Sequence, residues 1–197
     1  MRLILIRHGK PDELDTLQPG DPTLASVGWD QAEAVARVLA SEDISHIVSS
    51  PLRRALNTAQ PLSTLTGIPI QVISGWAEAD RGGQKYRSIE TLRSQGKEEW
   101  LRFLNDPITY LGADTENFRR DVLGALVETI KLAVKGTVVV FTHGMPINVI
   151  LSHTLALNNL VTFSPGYCSV TRIRAKSLEA MSVVSVNELW HQPNLKS

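Results

Sequence analysis

The chain has 197 residues, twenty of them basic and twenty acidic, and its formal net charge is zero. Since 43% of the residues are hydrophobic, the chain is long enough for one well-filled core and short for two. A neutral chain offers no global field that attracts nucleic acid or an acidic membrane surface, so we expect neither as a partner. The single cysteine, Cys168, excludes an internal disulfide, and no apolar stretch approaches the roughly 20 residues that cross a bilayer. We therefore expect a cytoplasmic protein.

The first element is an unbroken apolar run at residues 3–6 that ends in Arg7, His8 and Gly9. Apolar side chains at every position predict a strand buried on both faces of a parallel sheet. In such sheets, ligands bind beyond the carboxyl ends of the strands. Arginine offers a planar fork of donors, histidine a nucleophile or base that titrates near neutrality, and glycine a tight turn. Together the three residues suit a phosphate, although the solvated end of an ordinary strand remains the alternative.

The next elements alternate between helix and strand. A polar loop at residues 10–22 is expected to form part of the rim of the site, and it is followed by a helix and by a short strand at residues 46–49. Pro51 suits the first position of a second helix, which places Arg53 and Arg54 in its first turn. Free backbone N–H groups and the helix dipole favour an anion there. A solvated pair of arginines is the alternative interpretation.

A third strand, at residues 68–73, precedes a loop that carries Glu78 and Asp80 and could hold a general acid. Short helical patterns follow at residues 82–114, and we interpret them as a lid-like insertion over the site. The alternative is a solvated helical excursion. The basic residues of the insertion are Lys85, Arg87, Arg93, Lys97 and Arg102.

A long amphipathic helix is predicted from Thr115, as its cap, to Gly136. The second continuous apolar strand, residues 137–142, then ends in His143 and Gly144. This junction repeats the chemistry of the first one. If the two strands are neighbours in the sheet, their imidazoles converge on one point.

The last elements are a helix from Pro146 to about Leu155 and an antiparallel pair at the sheet edge, predicted from alternating hydrophobicity at residues 167–174 and 178–186. The remaining histidines, at positions 46, 153 and 191, are interpreted as structural or solvated. The candidate histidines lack supporting Cys, Asp or Glu at ligand spacing, so we expect no metal.

Four segments taken together resemble the histidine phosphatase superfamily, which includes cofactor-dependent phosphoglycerate mutases and many small-molecule phosphatases. The segments are residues 3–9, residues 49–59, Glu78 followed by Gly82, and residues 138–144. The resemblance covers nearly the whole chain. It implies one α/β domain over residues 1–197, a three-layer sandwich with a mostly parallel central sheet and helices on both faces, and a lid-like insertion at about 82–114.

The resemblance also implies the roles of individual residues. His8 would be the nucleophile that takes up the phosphoryl group. In the second segment the family's arginine directly precedes an alanine, which selects Arg54 over Arg53. The groups that bind the phosphoryl oxygens would be Arg7, Arg54, His143 and Gly144. Protonated His143 would add a third positive charge.

Glu78 would protonate the departing alkoxide and then take a proton from the water that attacks phosphohistidine. Asp80, two residues further on, is the alternative acid. A nucleophilic histidine must keep one ring nitrogen unprotonated, so we expect a backbone acceptor on the other nitrogen of His8.

Departures from the mutase pattern favour hydrolysis. Mutases of the family carry an arginine directly after the catalytic glutamate, a tyrosine two positions further on, and an asparagine six residues after the nucleophile; here these positions are Ala79, Arg81 and Leu14. We expect a metal-independent phosphomonoesterase that needs no cofactor and acts on a small phosphorylated metabolite. A phosphoglycerate mutase and a catalytically silent phospho-ligand binding module are the alternatives. The sequence leaves open whether residues 190–197 pack against the domain or against a second subunit of a homo-oligomer.

Overall fold

The computed structural model describes residues 1–133 and 135–192, apart from the side chain of Glu90. Its strands are β1 (Arg2–Arg7), β2 (Ile44–Ser49), β3 (Ile70–Val72), β4 (Thr137–Thr142), β5 (Val170–Ser177) and β6 (Ala180–Glu188). Its helices are α1 (Ser26–Leu39), α2 (Arg53–Thr66), α3 (Ile89–Ser94), α4 (Lys97–Asn105), α5 (Pro107–Tyr110), α6 (Thr115–Leu132) and α7 (Gly144–Leu155). No helix among the described residues has both the length and the apolar character needed to cross a bilayer.

The strands form a six-stranded sheet in the order β3-β2-β4-β1-β5-β6. β3, β2, β4 and β1 are parallel to one another, whereas β5 is antiparallel to β1 and β6 is antiparallel to β5. The two continuous apolar runs, β1 and β4, lie side by side in the middle of the sheet, where both faces are covered. The mostly parallel sheet and its antiparallel edge pair are therefore confirmed.

Alternate residues of the central strands pack against different helices. Leu3 and Leu5 belong to the apolar cluster that includes side chains of α6 and α7. Ile4 and Ile6 belong to a second cluster, formed with α1 and α2 on the other face of the sheet. Since successive side chains of a strand point to opposite faces, this division produces the predicted three layers.

Three predicted helix starts are wrong by one or two residues, and one of them is that of α7, which begins at Gly144 rather than Pro146. α2 begins at Arg53 rather than Pro51, because Leu52 has an extended backbone and its N–H donates to the Ser50 hydroxyl. Asp114, not Thr115, caps α6 by accepting a hydrogen bond from the backbone of Asn117.

The end of α6 and the third strand also differ from the predictions. α6 ends at Leu132, before Gly136, because Ala133 adopts an extended backbone. β3 covers three residues of the predicted 68–73.

The insertion at residues 82–114 contains α3, α4 and α5. Leu92, Phe103 and Ile108 from these helices are buried in the same apolar cluster as α6 and α7. Packing therefore ties the insertion to the layer that covers one face of the sheet.

Candidate active site

The pairing of β1 with β4 brings the two predicted histidines together. Arg7 and Thr142 are partners at the carboxyl ends of these strands, and the residue after each is a histidine. The His8 backbone N–H donates to the Thr142 carbonyl at 2.9 Å. The ring centroids of His8 and His143 lie 5.0 Å apart. Neighbouring strand ends thus build the centre of the site.

His8 is a buried, uncharged imidazole. Its Nδ1 lies 2.8 Å from the Gly9 carbonyl oxygen. Because a carbonyl oxygen can only accept a hydrogen bond, Nδ1 carries the proton of the neutral ring. The expected backbone acceptor is therefore present, and the lone pair resides on Nε2. Burial, together with the charges of Arg54 and Arg7, lowers the pKa of His8 well below its usual value, against the raising effect of the Gly9 hydrogen bond. The imidazole is consequently uncharged at neutral pH.

Two buried arginines flank this imidazole. Arg7 donates from Nη1 to the Pro165 carbonyl at 2.7 Å, and its guanidinium lies 4.1 Å from the centre of the Tyr167 ring. Arg54 is completely buried and donates from Nη2 to Asp80 Oδ1 at 2.7 Å. These contacts fix both guanidinium groups in place.

Asp80 is thus an ion-pair partner of the buried Arg54. Burial opposes the charge of Arg54, but Asp80, Tyr86 and Glu78 outweigh burial and raise its pKa. Asp21, from the predicted rim loop, adds a second carboxylate 3.5 Å from Arg54 Nη1. Since Asp80 is engaged with an arginine, the geometry favours Glu78 over Asp80 as the acid.

Several buried side-chain nitrogens of the site have no hydrogen-bond partner among the described residues. They are Arg7 Nε, Arg54 Nε, Arg54 Nη1 and His143 Nδ1. A buried polar group without a partner costs about 1–3 kcal/mol. Arg7, His8 and Arg54 line one cavity of about 40 Å³, which we call the phosphoryl cavity, whereas His143 is not among its lining residues. An oxyanion in this cavity would offer acceptors to the two arginines.

Glu78 also lines this cavity, and its pKa is raised above the usual value. Its Oε1 accepts from the Ala79 N–H at 3.0 Å, and its Oε2 accepts from the Met145 N–H at 3.2 Å. Burial and the nearby charge of Asp80 raise the pKa of Glu78 to about 7, although both backbone hydrogen bonds and Arg54 act in the opposite direction. Protonated and ionised forms of Glu78 therefore both occur near neutral pH.

His143 is neutral in the ligand-free site. Burial, followed by the charges of Arg54, His8 and Arg7, lowers its pKa well below the usual value. Its Nε2 lies 2.7 Å from the Ser50 hydroxyl. The third positive charge considered from the sequence is therefore absent before a ligand binds.

A family model supports what this geometry indicates. The model described as histidine phosphatase superfamily (branch 1) matches residues 3–188. The chain belongs to the histidine phosphatase superfamily.

Known members of this superfamily are similar over nearly the whole chain. "Putative phosphoserine phosphatase 2" of Hydrogenobacter thermophilus is 26% identical, with 98% of each chain covered. "Probable phosphoglycerate mutase GpmB" of Citrobacter koseri is 26% identical over 98% of this chain and 89% of that protein. A crystal structure of phosphoserine phosphatase from Entamoeba histolytica, in complex with 3-phosphoglyceric acid, has a TM-score of 0.72 and 25% identity over 96% of this chain and 98% of that chain.

The structure also places the other predicted residues of this superfamily member. Gly144 is the first residue of α7 and lines the phosphoryl cavity. Among the basic residues of the insertion, Arg87 lines the same cavity, whereas Arg93 lies over the Trp100 ring. Lys85 and Arg102 line a separate open groove.

Two of the positions that distinguish mutases lie away from the cavity. The Leu14 side chain is 85% exposed. Arg81 is largely exposed and forms a surface ion pair with Asp121. Neither residue is among those that line the phosphoryl cavity.

Sequence reasoning did not single out several residues that complete the site. Tyr86 packs its ring 4.7 Å from the Arg54 guanidinium and edge-on to His8. Thr58 accepts from the Gly9 N–H and donates to the Arg54 carbonyl, which links the two motifs. Thr58 lies inside a segment that carried the resemblance, whereas no local pattern marks Tyr86.

Among the described residues, no group of three or more His, Cys, Asp or Glu side chains is arranged to hold a metal ion.

Proposed function

We propose that the protein is a metal-independent phosphomonoesterase that works through a phosphohistidine at His8. The observation that carries the proposal is the set of buried, unpartnered donors around a neutral imidazole. Phosphoryl transfer needs positioning and positive charge around the phosphoryl oxygens. Arg7 and Arg54 provide both from fixed positions.

The proposed reaction has two balanced steps. His8 Nε2 attacks phosphorus, the bond between phosphorus and the alcohol oxygen breaks, and Glu78 gives its proton to that oxygen. Glu78, now a carboxylate, takes a proton from water as the water oxygen attacks phosphorus. The phosphorus–nitrogen bond then breaks, which releases inorganic phosphate and restores His8. A pKa of about 7 suits a group that must both give and accept a proton.

The substrate we propose is a small phosphorylated metabolite. Relatives of similar length are named for phosphoserine and phosphoglycerate chemistry, both of which involve small monoesters. The phosphoryl cavity, at about 40 Å³, has room for roughly three water molecules at 10–15 Å³ each, which is close to the size of a phosphate.

The test is phosphate release from a panel of small phosphomonoesters with EDTA present. Wild type, His8→Ala and His46→Ala are compared, since His46 lies on β2, before the strand's carboxyl end. We expect release by wild type and His46→Ala and none by His8→Ala. Release that survives His8→Ala would contradict the mechanism, and tight phosphate binding without turnover would indicate a binding module.

A phosphoglycerate mutase is the second candidate, because one similar relative carries that name. The surface positions of Leu14 and Arg81 favour hydrolysis, since neither side chain can hold a substrate carboxylate in the cavity. The same preparations should be assayed for interconversion of 2- and 3-phosphoglycerate. Interconversion that is faster than phosphate release would favour the mutase.

A further inference from the structure

The phosphoryl cavity adjoins two larger depressions under the insertion. One, which we call the lid groove, measures about 1040 Å³ and shares Asp80 and Arg87 with the cavity. The other, the aromatic pocket, measures about 310 Å³ and shares Arg7, Gly144 and Met145 with it. The alcohol portion of a substrate must extend into one of them.

The aromatic pocket has mostly apolar walls. Its apolar side chains include Trp100, Phe103, Leu104, Met145, Val161 and Phe163, and two arginines, Arg7 and Arg93, also line it. Its volume lies at the lower end of the range for small-molecule sites, which is enough for a single or fused ring. A pocket of this composition favours an apolar occupant because burying apolar surface is the main source of binding energy.

The walls of the aromatic pocket are held in place. Trp100 stacks on Phe103 with ring centroids 5.3 Å apart, and the Arg93 guanidinium lies 4.5 Å from the Trp100 ring centre. On the other side, Asn148 of α7 accepts from the Phe163 N–H and donates to the Phe163 carbonyl. A pocket that is already ordered loses little conformational entropy when it binds a ligand.

The position of Glu78 indicates where the alcohol oxygen leaves. As the acid, Glu78 must lie beside that oxygen, and its Oε2 is held by the Met145 N–H. Met145 lines both the phosphoryl cavity and the aromatic pocket but not the lid groove. The departing alcohol is therefore next to the entrance of the aromatic pocket.

The lid groove is less suitable for that group. Its lining mixes the carboxylates of Asp80, Glu98, Glu99 and Asp106 and other polar groups with Leu92, Leu101 and Leu111. Because the groove is wide and open, an apolar group placed there keeps much of its contact with water.

We propose that the aromatic pocket binds the alcohol portion of the substrate, and that this portion is a planar, apolar group such as an aryl ring. This inference rests on the proposed phosphatase function, because it concerns the leaving group of that reaction. Trp100 and Phe163 are the residues that determine the specificity.

The test compares kcat/KM for 2-phenylethyl phosphate and ethyl phosphate, two alkyl esters whose leaving alcohols have similar acidity. We expect wild type to prefer the phenylethyl ester by about tenfold or more, which corresponds to about 1.4 kcal/mol. Trp100→Ala and, separately, Phe163→Ala should bring the ratio close to one. Leu101→Ala is the matched control, because Leu101 lines the lid groove and should leave the ratio unchanged.

Both esters are measured on the same preparation, so the ratio does not depend on how much of a variant is folded. A wild-type ratio near one, or a high ratio that is unchanged by both aromatic substitutions, would overturn the assignment of the pocket. The phosphatase function would still stand in that case, as long as phosphate is released from either ester. A fall caused by Leu101→Ala alone would place the alcohol in the lid groove instead. If neither these two esters nor any other monoester released phosphate, the phosphatase function itself would be overturned.

Discussion

Two adjacent arginines at the start of α2 illustrate how position decides the role of a residue. Arg54 is completely buried, and its Nε and Nη1 lack hydrogen-bond partners among the described residues. Arg53 is partly exposed and donates to Asp15. We expect Arg54→Ala to lower kcat/KM for a phosphomonoester by at least about tenfold, because it removes a charge-assisted contact to the phosphoryl group.

Arg53→Ala is the control for this prediction and should change kcat/KM by less than about threefold, since Arg53 is not among the residues that line the phosphoryl cavity. Urea unfolding of both variants measures the free energy of unfolding that is lost when the Asp80 carboxylate is left without its arginine. Equal losses of kcat/KM in the two variants would contradict the assignment of Arg54, rather than Arg53, as the phosphate-binding arginine of residues 49–59.

The raised pKa of Glu78 predicts a pH dependence. Its protonated form, which is the acid, is present below pH 7 and is lost as the pH rises through its pKa of about 7. We expect kcat/KM for ethyl phosphate to decline above pH 7, whereas 4-nitrophenyl phosphate, with a better leaving group, should decline less. Glu78→Gln should flatten the decline and lower the ethyl phosphate rate by about 10²- to 10⁴-fold.

A companion variant separates Glu78 from its neighbour. The negative charge of Asp80 raises the pKa of Glu78, second only to burial. Asp80→Asn removes that charge, favours the Glu78 carboxylate, and should move the decline of kcat/KM to lower pH. A decline that stays in place would show that Asp80 does not set the protonation of Glu78.

For individual residues, the sequence was informative where a chemically reactive side chain directly follows the end of a strand. His8 and His143 each follow an apolar run, and parallel strands deliver such residues to one edge of a sheet. The pairing of Arg54 with Asp80 and the position of Tyr86 depend on how a loop and the insertion fold back. No local periodicity carries that information.

At the scale of elements, the loop after His8 depends on a close approach to the first turn of α1. A Cβ on Gly28 would lie 2.1 Å from the Lys10 carbonyl oxygen, so Gly28→Ala must displace backbone. We expect this variant to lose stability and, by moving His8, to lower kcat by about tenfold or more, since a shift of about 1 Å can cost 10²-fold.

Gly124→Ala is the matched control within α6. A Cβ there meets nothing within 4 Å, so the helix should gain up to about 1 kcal/mol from the better helix former. Thermal unfolding and turnover of the two alanine variants would be compared side by side. A Gly28→Ala protein as active and stable as wild type would show that the loop accommodates the added methyl group.

The limits of the elements were predicted less well than their existence. α2 starts after Pro51 because Ser50 and Leu52 form a turn of their own, and α6 takes Asp114 as its cap because that carboxylate reaches the Asn117 N–H. Several residues near a helix start can act as caps. The final choice depends on neighbouring loops.

At the scale of the whole molecule, hydrophobic patterning indicated a parallel sheet buried on both faces, and the resemblance to the superfamily implied the three layers. Continuous apolar strands require cover on both faces, and the amphipathic helices provide it. The strand order β3-β2-β4-β1-β5-β6 did not follow, because pairing between β1 and β4 joins segments more than a hundred residues apart.

The unpaired donors at the centre of the fold also predict a change in global stability. We expect inorganic phosphate to bind the folded chain, and at a hundred times its Kd it should then stabilise the protein by about 2.7 kcal/mol. For a chain of this size that corresponds to a rise of roughly 5–10 °C in Tm. Arg54→Ala should abolish the rise at the same phosphate concentration, and sodium chloride of equal ionic strength controls for screening. An equal rise in the variant would place the phosphate elsewhere.

The Asp80 carboxylate has a further consequence for how the site handles its ligands. In the ligand-free protein it occupies a donor of Arg54, much as a phosphate oxygen would. Because Asp80 occupies Nη2, the donors left for a ligand are Nε and Nη1, which have no hydrogen-bond partner among the described residues. The guanidinium is therefore already oriented before a phosphoryl group arrives, and little binding energy is needed to order it. Folding, rather than binding, immobilises this arginine.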